Sequence, residues 1–350
     1  MTDDIRLCRT FQTAPAAVST DDAGPDDAAK YLRSALTAEG FRAPDWLVPD
    51  LEDGTAPGSK RAGVENVVEL VPSHDVDGEV WPRVEWSHLD ETVRDAGRDQ
   101  IDALVAGAGD DIDGFVVPKV GRRPDVERAV DVVSEVEAAH GYEPRTFDLT
   151  VVVETSRARS DLRPIARFGA DSRLAAIAFG PLDYAADLGS RDLGDRPRWD
   201  GTLEALSNEA SAAGLLSIGG PFDDLFTERA GVTYYNGDAY VDRLEHEAAI
   251  GIDGSWSLHP NQTVQANTVH MPSPDALERD VDRIERYNRA KRGGTGAVVI
   301  DGRMVDEASL KGFHNTIRRV RAIDRIHPAQ TDAYYDDDLL KRALDLDLTR

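Results

Sequence analysis

At 350 residues the chain is long enough for one large α/β barrel or for two ordinary domains. Its formal net charge of −25 comes from 45 Asp and 20 Glu against 34 Arg and 6 Lys, with no basic stripe, which excludes a nucleic-acid binder that works by neutralising phosphates. No apolar run approaches roughly 18 residues, which excludes a membrane-spanning helix, and the single cysteine, Cys8, excludes an internal disulfide.

The N-terminus, Met1-Thr-Asp-Asp-Ile-Arg6, has no apolar core of a signal peptide, so the expected location is cytoplasmic. The acidic excess is spread along the chain, as in a halophilic protein. In molar salt the Debye length falls to about 3 Å, so self-repulsion is screened while acidic side chains keep the surface hydrated. An acidic protein built for a basic partner gathers its charge in one block instead.

In chain order, residues 5–13 alternate and reach Ala14-Pro15, a strand followed by a turn. Residues 21–27 form an acidic loop, and 28–38 have helical spacing. Trp46-Leu-Val-Pro-Asp50 is a second strand, running into the acidic turn Leu51-Glu-Asp-Gly54. Residues 64–71 are helical, 79–86 a third strand carrying Arg83, and 101–106 a short helix. Residues 112–119 are a fourth strand ending in Pro118-Lys119, and 125–140 a strongly periodic helix. Leu149-Thr-Val-Val-Val-Glu154 and Leu174-Ala-Ala-Ile-Ala-Phe-Gly-Pro-Leu-Asp183 are the fifth and sixth strands, each an unalternated apolar run that stops at a carboxylate. Residues 214–218 and 255–259 are the seventh and eighth, separated by a helix over 240–250. Beyond them, 273–290 is a long helix, 291–296 a hinge, 297–306 a strand–turn–strand, and 307–323 and 336–346 are helices.

Eight short strands with intervening helices predict a (β/α)8 TIM barrel over residues 1–290, with a small C-terminal α/β lid over 291–350. A doubly wound open sheet is the rival, disfavoured because no G-x-G-x-x-G follows the first strand. Polar residues punctuate the strand ends, where a barrel places its chemistry. Glu154 and Asp183 at neighbouring strand ends would repel unless a cation lay between them. One or two carboxylates with water and substrate oxygens suit Mg²⁺. The alternative is that both are salt-bridged strand-end acids.

These strand ends also form a known pattern. The chain resembles the HpcH/HpaI aldolase, or citrate lyase β-subunit, family in Asp50-Leu-Glu-Asp53 with Ala56-Pro57 and Lys60, Pro82-Arg83-Val84, Val117-Pro-Lys119, Val153-Glu154, Phe179-Gly180 with Asp183, Gly220-Pro-Phe-Asp-Asp224, Leu258-His-Pro260 with Gln262, and Asp301-Gly302 with Met304-Val-Asp306. Within that family it is most similar to the L-malyl-CoA/β-methylmalyl-CoA lyases and the malate synthases of halophilic archaea. Only about 40 residues separate Gln262 from Met304, as in the lyases.

The resemblance implies an enzyme dependent on Mg²⁺, with Mn²⁺ as a substitute. It would reversibly cleave L-malyl-CoA or β-methylmalyl-CoA to glyoxylate plus acetyl-CoA or propionyl-CoA. Alternatives on the same scaffold are a malyl-CoA thioesterase, a malate synthase, or a citrate or citramalyl-CoA lyase β-type subunit. Glu154 and Asp183 would hold the metal, and Arg83 would meet the thioester oxygen; its other reading is a salt bridge to one of the site acids. Glu52 would hold Arg83 or a metal-bound water. Asp306, on the lid of a neighbouring subunit in a homotrimer or homohexamer, would be the general base; its other reading is a helix N-terminal acid. Thr13, Leu182, Leu258 and His259 would contact substrate, and Lys30 and Arg9 the CoA phosphates. Lys119 is a lesser candidate, for a Schiff base.

Overall fold

Short runs of Val, Ile, Ala and Leu flanked by polar turns can bury both faces of a strand, and the chain uses them to build a parallel sheet. The computed structural model describes residues 5–19, 28–190, 199–229, 231–294 and 296–348; the acidic loop expected at 21–27 lies outside them. The strands are β1 (Thr10–Pro15), β2 (Trp46–Asp50), β3 (Glu79–Val80), β4 (Gly114–Val117), β5 (Asp148–Val153), β6 (Leu174–Phe179), β7 (Leu216–Gly219), β8 (Phe226–Arg229), β9 (Val232–Tyr235), β10 (Gly254–Ser257), β11 (Val298–Ile300) and β12 (Arg303–Val305). Eight of them form one sheet, in the order β3-β2-β1-β10-β7-β6-β5-β4, with every pairing parallel. Its two ends meet through residues 80–84. Asp113 N–H donates to Val80 O at 3.0 Å, Val116 N–H to Pro82 O at 3.0 Å, and Val84 N–H to Val116 O at 3.1 Å. Pro82 has no N–H to donate, and regular pairing of β3 stops at two residues while the barrel still closes.

Side chains alternate along each strand. The inward rows pack Phe11, Trp46, Val48, Trp81, Val116, Val152, Ala178, Ile218 and Trp256 inside the barrel. Trp46 and Trp81 stack with centroids 4.2 Å apart. The outward rows are covered by helices that contribute Leu32, Val67, Leu104, Val133, Ile165 and Leu206. The TIM-barrel expectation therefore holds, and the open sheet does not.

The chain divides into two units, with the barrel spanning Cys8–His270. The second unit begins at Met271 and takes in residues 5–7, so the boundary falls about 20 residues before the one expected at 290/291. The boundary moves because the helix Pro274–Arg292 is bonded to the C-terminal helices. Asp280 on it accepts from Thr316 Oγ1 at 2.7 Å, and Glu285 accepts from Arg342 Nη2 at 3.0 Å. Arg321, on the helix Glu307–Ile326, donates to the carbonyls of Ala343, Leu344 and Leu346 and ties down the helix Asp337–Asp345. β11 and β12 form an antiparallel hairpin in this unit.

Other boundaries move too. β1 starts at Thr10 rather than residue 5, and the helix expected at 101–106 runs over Glu91–Ala108. β6 stops at Phe179, so Asp183 lies in the first turn of the helix Pro181–Asp187 rather than at the strand end. Pro181 fixes that start, since proline favours a first helical turn and cannot extend a central strand.

Candidate active site

Continuing the inward rows to the carboxyl ends of the strands brings Thr13, Asp50, Arg83, Glu154, Gly180 and Leu258 to one mouth. All six line a cavity of about 380 Å³, together with Leu182, Asp183, Trp256 and others. Strand parity alone converges these residues from six strands.

Arg83 is the best-held group there. Its Nε–H donates to Asp50 Oδ1 at 2.8 Å and its Nη2 to Asp50 Oδ2 at 2.5 Å, while Nη1 lies 3.3 Å from Glu52 Oε2. Asp50 can hold this fork because its own carboxylate is fixed by the backbone N–H groups of Glu52 and Gly54, both at 2.9 Å. The guanidinium carbon lies 5.4 Å from the centre of the Trp256 ring. Burial opposes the charge on Arg83, but Asp50, Glu52 and Glu154 outweigh it and hold the guanidinium above its ordinary value. A guanidinium has five N–H donors. Asp50 takes two of them, which leaves the rest of the fork for Glu52 and for a ligand in the cavity.

Glu154 is 3 % exposed, and its Oε1 accepts from Lys119 N–H at 2.6 Å. Burial, then the nearby charge of Asp183, push its carboxyl up to about 8, against partial relief from Arg83. A side chain at position 180 would collide with it, because a Cβ there would sit 2.4 Å from Glu154 Oε2. Two carboxylates crowded around open space, one of them buried at the cost of a raised pKa, fit a hard divalent cation. No described group of three or more acidic, His or Cys side chains forms a closed metal cage. Mg²⁺ takes one or two carboxylates and leaves its other positions to water and substrate, so the pair fits.

Glu52 is buried, bridging Arg83 and the Lys119 ammonium, and its carboxyl is pushed up chiefly by burial. Lys119 also reaches Asp53 Oδ2 at 2.8 Å, and its ammonium is held above its ordinary value against burial. A Schiff base there would need that ammonium released from both carboxylates and deprotonated, which the ion pairs oppose. Thr13 accepts from Trp256 Nε1 at 3.0 Å at the cavity wall, and Leu182 and Leu258 are its partly exposed apolar walls. His259 lies beside Leu258, its ring stacked 5.6 Å from Tyr235 of the β8–β9 hairpin and its Nδ1 accepting from Asn261 N–H. Burial lowers its pKa.

Three candidates are not among the residues lining the cavity. Lys30 is exposed at the start of the helix Lys30–Leu36, its ammonium 5.1 Å from the Tyr31 ring centre. Asp306 caps the helix Glu307–Ile326 in the second unit, accepting from Ser309 N–H at 2.9 Å, a bond that holds its carboxyl below the usual range. Arg9 requires a correction. It is 0 % exposed at the amino end of β1, opposite the mouth, with both edges on Asp45 at 2.7 and 3.0 Å, so no CoA phosphate can reach it. Trp256 is a cavity residue that sequence reasoning missed, and Asp50, noted at its strand end, was given no role; the parity of their strands is the signal that could have found both.

The family model described as HpcH/HpaI aldolase/citrate lyase matches residues 32–260. The chain is 57 % identical to the L-malyl-CoA/beta-methylmalyl-CoA lyase of Haloarcula marismortui, over 98 % of this chain and 99 % of that one. It is 36 % identical to an apparent malate synthase of the same organism, over 77 % of this chain and 61 % of the relative. The Haloferax volcanii malate synthase structure in complex with magnesium and glyoxylate superposes with a TM-score of 0.70 at 28 % identity, covering 98 % of this chain and 99 % of that one.

Proposed function

The chain belongs to the HpcH/HpaI aldolase/citrate lyase family, and from that premise we propose that it is a carbon–carbon lyase acting on malyl-type CoA thioesters. It reversibly cleaves L-malyl-CoA or β-methylmalyl-CoA, the substrates in the name of its Haloarcula relative, to glyoxylate plus acetyl-CoA or propionyl-CoA. The observation that carries this reading is the arrangement at the mouth. A crowded carboxylate pair, Glu154 and Asp183, shares one cavity with a guanidinium, Arg83, whose donors are only partly used.

Condensation needs an α-proton removed from an acyl thioester and the resulting enolate stabilised. Arg83 offers its remaining N–H donors to the thioester oxygen as charge develops there. One such donor is typically worth about 3–4 kcal/mol in a transition state. Asp50 and Glu52 keep the fork in place, so it is organised before substrate arrives. Asp306, kept ionised by its cap bond, takes the α-proton, delivered over the mouth of a neighbouring subunit. The enolate carbon then attacks the aldehyde carbon of glyoxylate, and the new hydroxyl gains its proton from water; cleavage is the reverse. Mg²⁺ held by Glu154 and Asp183 would orient the glyoxylate oxygens and act as a Lewis acid toward them. Thr13, Leu182 and Leu258 shape the acyl end of the cavity, with His259 next to Leu258 in the chain, and Lys30 is left as the cation for the CoA phosphates. The spread of 65 acidic residues is adapted to molar salt in a cytoplasmic homo-oligomer.

Incubation with malyl-CoA and Mg²⁺ tests this. Glyoxylate and acetyl-CoA in equal amounts are expected. Free malate and CoA without glyoxylate would replace the lyase by a thioesterase.

A further inference from the structure

The mouth carries more carboxylates than one cation needs, yet they are not equivalent. Asp50 is saturated by two backbone N–H groups and the Arg83 fork. Glu52 and Asp53 share the Lys119 ammonium. Asp183 accepts no hydrogen bond and enters no ion pair among the described residues. Glu154 has only the backbone N–H of Lys119 as a described hydrogen-bond donor. One residue therefore serves both groups, with its backbone on Glu154 and its side chain on the Glu52–Asp53 pair.

Lys119 does this in a conformation that a lysine rarely adopts, with φ +49°. Such backbone costs energy and persists only where its surroundings fix it. Here the fixing is visible. The Lys119 carbonyl accepts from His88 N–H at 3.2 Å and lies 3.0 Å from His88 Nδ1. The left-handed turn follows Pro118 and lets the N–H meet the β5 end while the side chain lies across the turn after β2.

We propose, on the strength of the functional reading above, that Lys119 is a positioning residue that decides which carboxylates hold the divalent cation. Its ammonium occupies Glu52 and Asp53 as an internal counter-ion, which confines the metal to Glu154 and Asp183. Without that ammonium, Asp53 at the cavity wall and the Oε1 edge of Glu52, whose Oε2 stays on Arg83, lose their counter-ion and form a second, misplaced cation site.

Counting bound Mn²⁺ by electron paramagnetic resonance in the purified full chain tests this. Lys119→Met is expected to bind one more Mn²⁺ per chain than wild type. Lys119→Arg is expected to match wild type, and Lys119→Met combined with Glu52→Gln and Asp53→Asn to return to the wild-type count. Lys119→Gln, which keeps a polar side chain, replaces the Met variant should circular dichroism show that variant unfolded. An unchanged count in the charge-removing variant overturns the proposal. Wild type and Asp183→Asn binding Mn²⁺ equally would overturn the metal assignment instead, and that result is read independently of the increment at Lys119.

Discussion

The barrel buries charge at both ends, and it does so in opposite ways. At the amino end, Arg9 is matched by Asp45 through two short contacts and a further bond from the Arg9 backbone, and Arg173 is matched by Glu137 through two guanidinium bonds. Burial pushes the Glu137 carboxyl up, but Arg173 and the backbone N–H groups of Phe147 and Arg145 outweigh it and hold it low. At the carboxyl end, Glu154 is as deeply buried but sits beside another acid, and it is pushed up to about 8. Charges at the closed end answer one another, which is a structural arrangement. Charges at the open end leave a negative excess, which is a binding arrangement. A buried ion pair is weak evidence of function, whereas a buried acid beside a second carboxylate in a cavity marks a candidate ligand site.

The sharpest way to break this contrast is at Asp183. Replacing it with Ala removes one half of the like-charge pair while leaving the strand core untouched. Turnover and its dependence on Mg²⁺ are expected to disappear together, measured as glyoxylate release from malyl-CoA across a metal titration. Unchanged kinetics in EDTA would sink the assignment of the pair.

The amino end predicts a loss of another kind. Arg9→Met leaves Asp45 buried without its partner, and breaking a buried pair in this way typically costs about 3–5 kcal/mol. Denaturant unfolding should show that loss, while the KM of whatever folded enzyme remains stays at its wild-type value. A raised KM for the CoA ester would restore Arg9 as a phosphate ligand. The double change Arg9→Met with Asp45→Leu should recover much of the stability, because it removes both charges at once.

The same contrast explains what could be read from the sequence. Strands β2, β5 and β6 were legible because Trp46-Leu-Val-Pro-Asp50, the Val151–Val153 run and the Ala-rich run ending at Phe179 are apolar on both faces. Glu154 followed directly, since parity and strand end coincide there. Asp183 was misplaced by a few residues because apolar Pro181-Leu182 continues the run in composition while starting a helix in geometry. Two-thirds of the helix Glu91–Ala108 was invisible, chiefly because its first turns are charged and its buried face begins only at Gly97. The β8–β9 hairpin was missed because Val232 and Tyr234 face outward and bury no apolar row that periodicity could detect. Arg9 was misassigned for a related reason. A cation beside a strand pattern does not say which end of the barrel it marks, and only Asp45, 36 residues away, settles it.

The smallest effect per unit of perturbation is the pH response of Glu154, and it separates the two ends most cleanly. In the unfolded chain this carboxyl titrates at its ordinary value of 4.5; in the metal-free fold it titrates at about 8. Between those values the folded state holds a proton that the unfolded state has released. Stability of the chelated protein therefore falls as pH rises through that window, by about 1.4 kcal/mol per pH unit from this group. The matched acid Glu137 has the opposite sign, contributing stability above the ordinary carboxylate range that is lost on acidification. Denaturant midpoints at pH 5 to 8 in EDTA should therefore decline more steeply for wild type than for Glu154→Gln, whose amide cannot titrate. Saturating Mg²⁺ should flatten the wild-type curve, because a bound cation stabilises the ionised form that burial otherwise opposes. Identical slopes for the two proteins in EDTA would mean that Glu154 titrates in the fold near its unfolded value, and the two ends of the barrel would then no longer differ in kind.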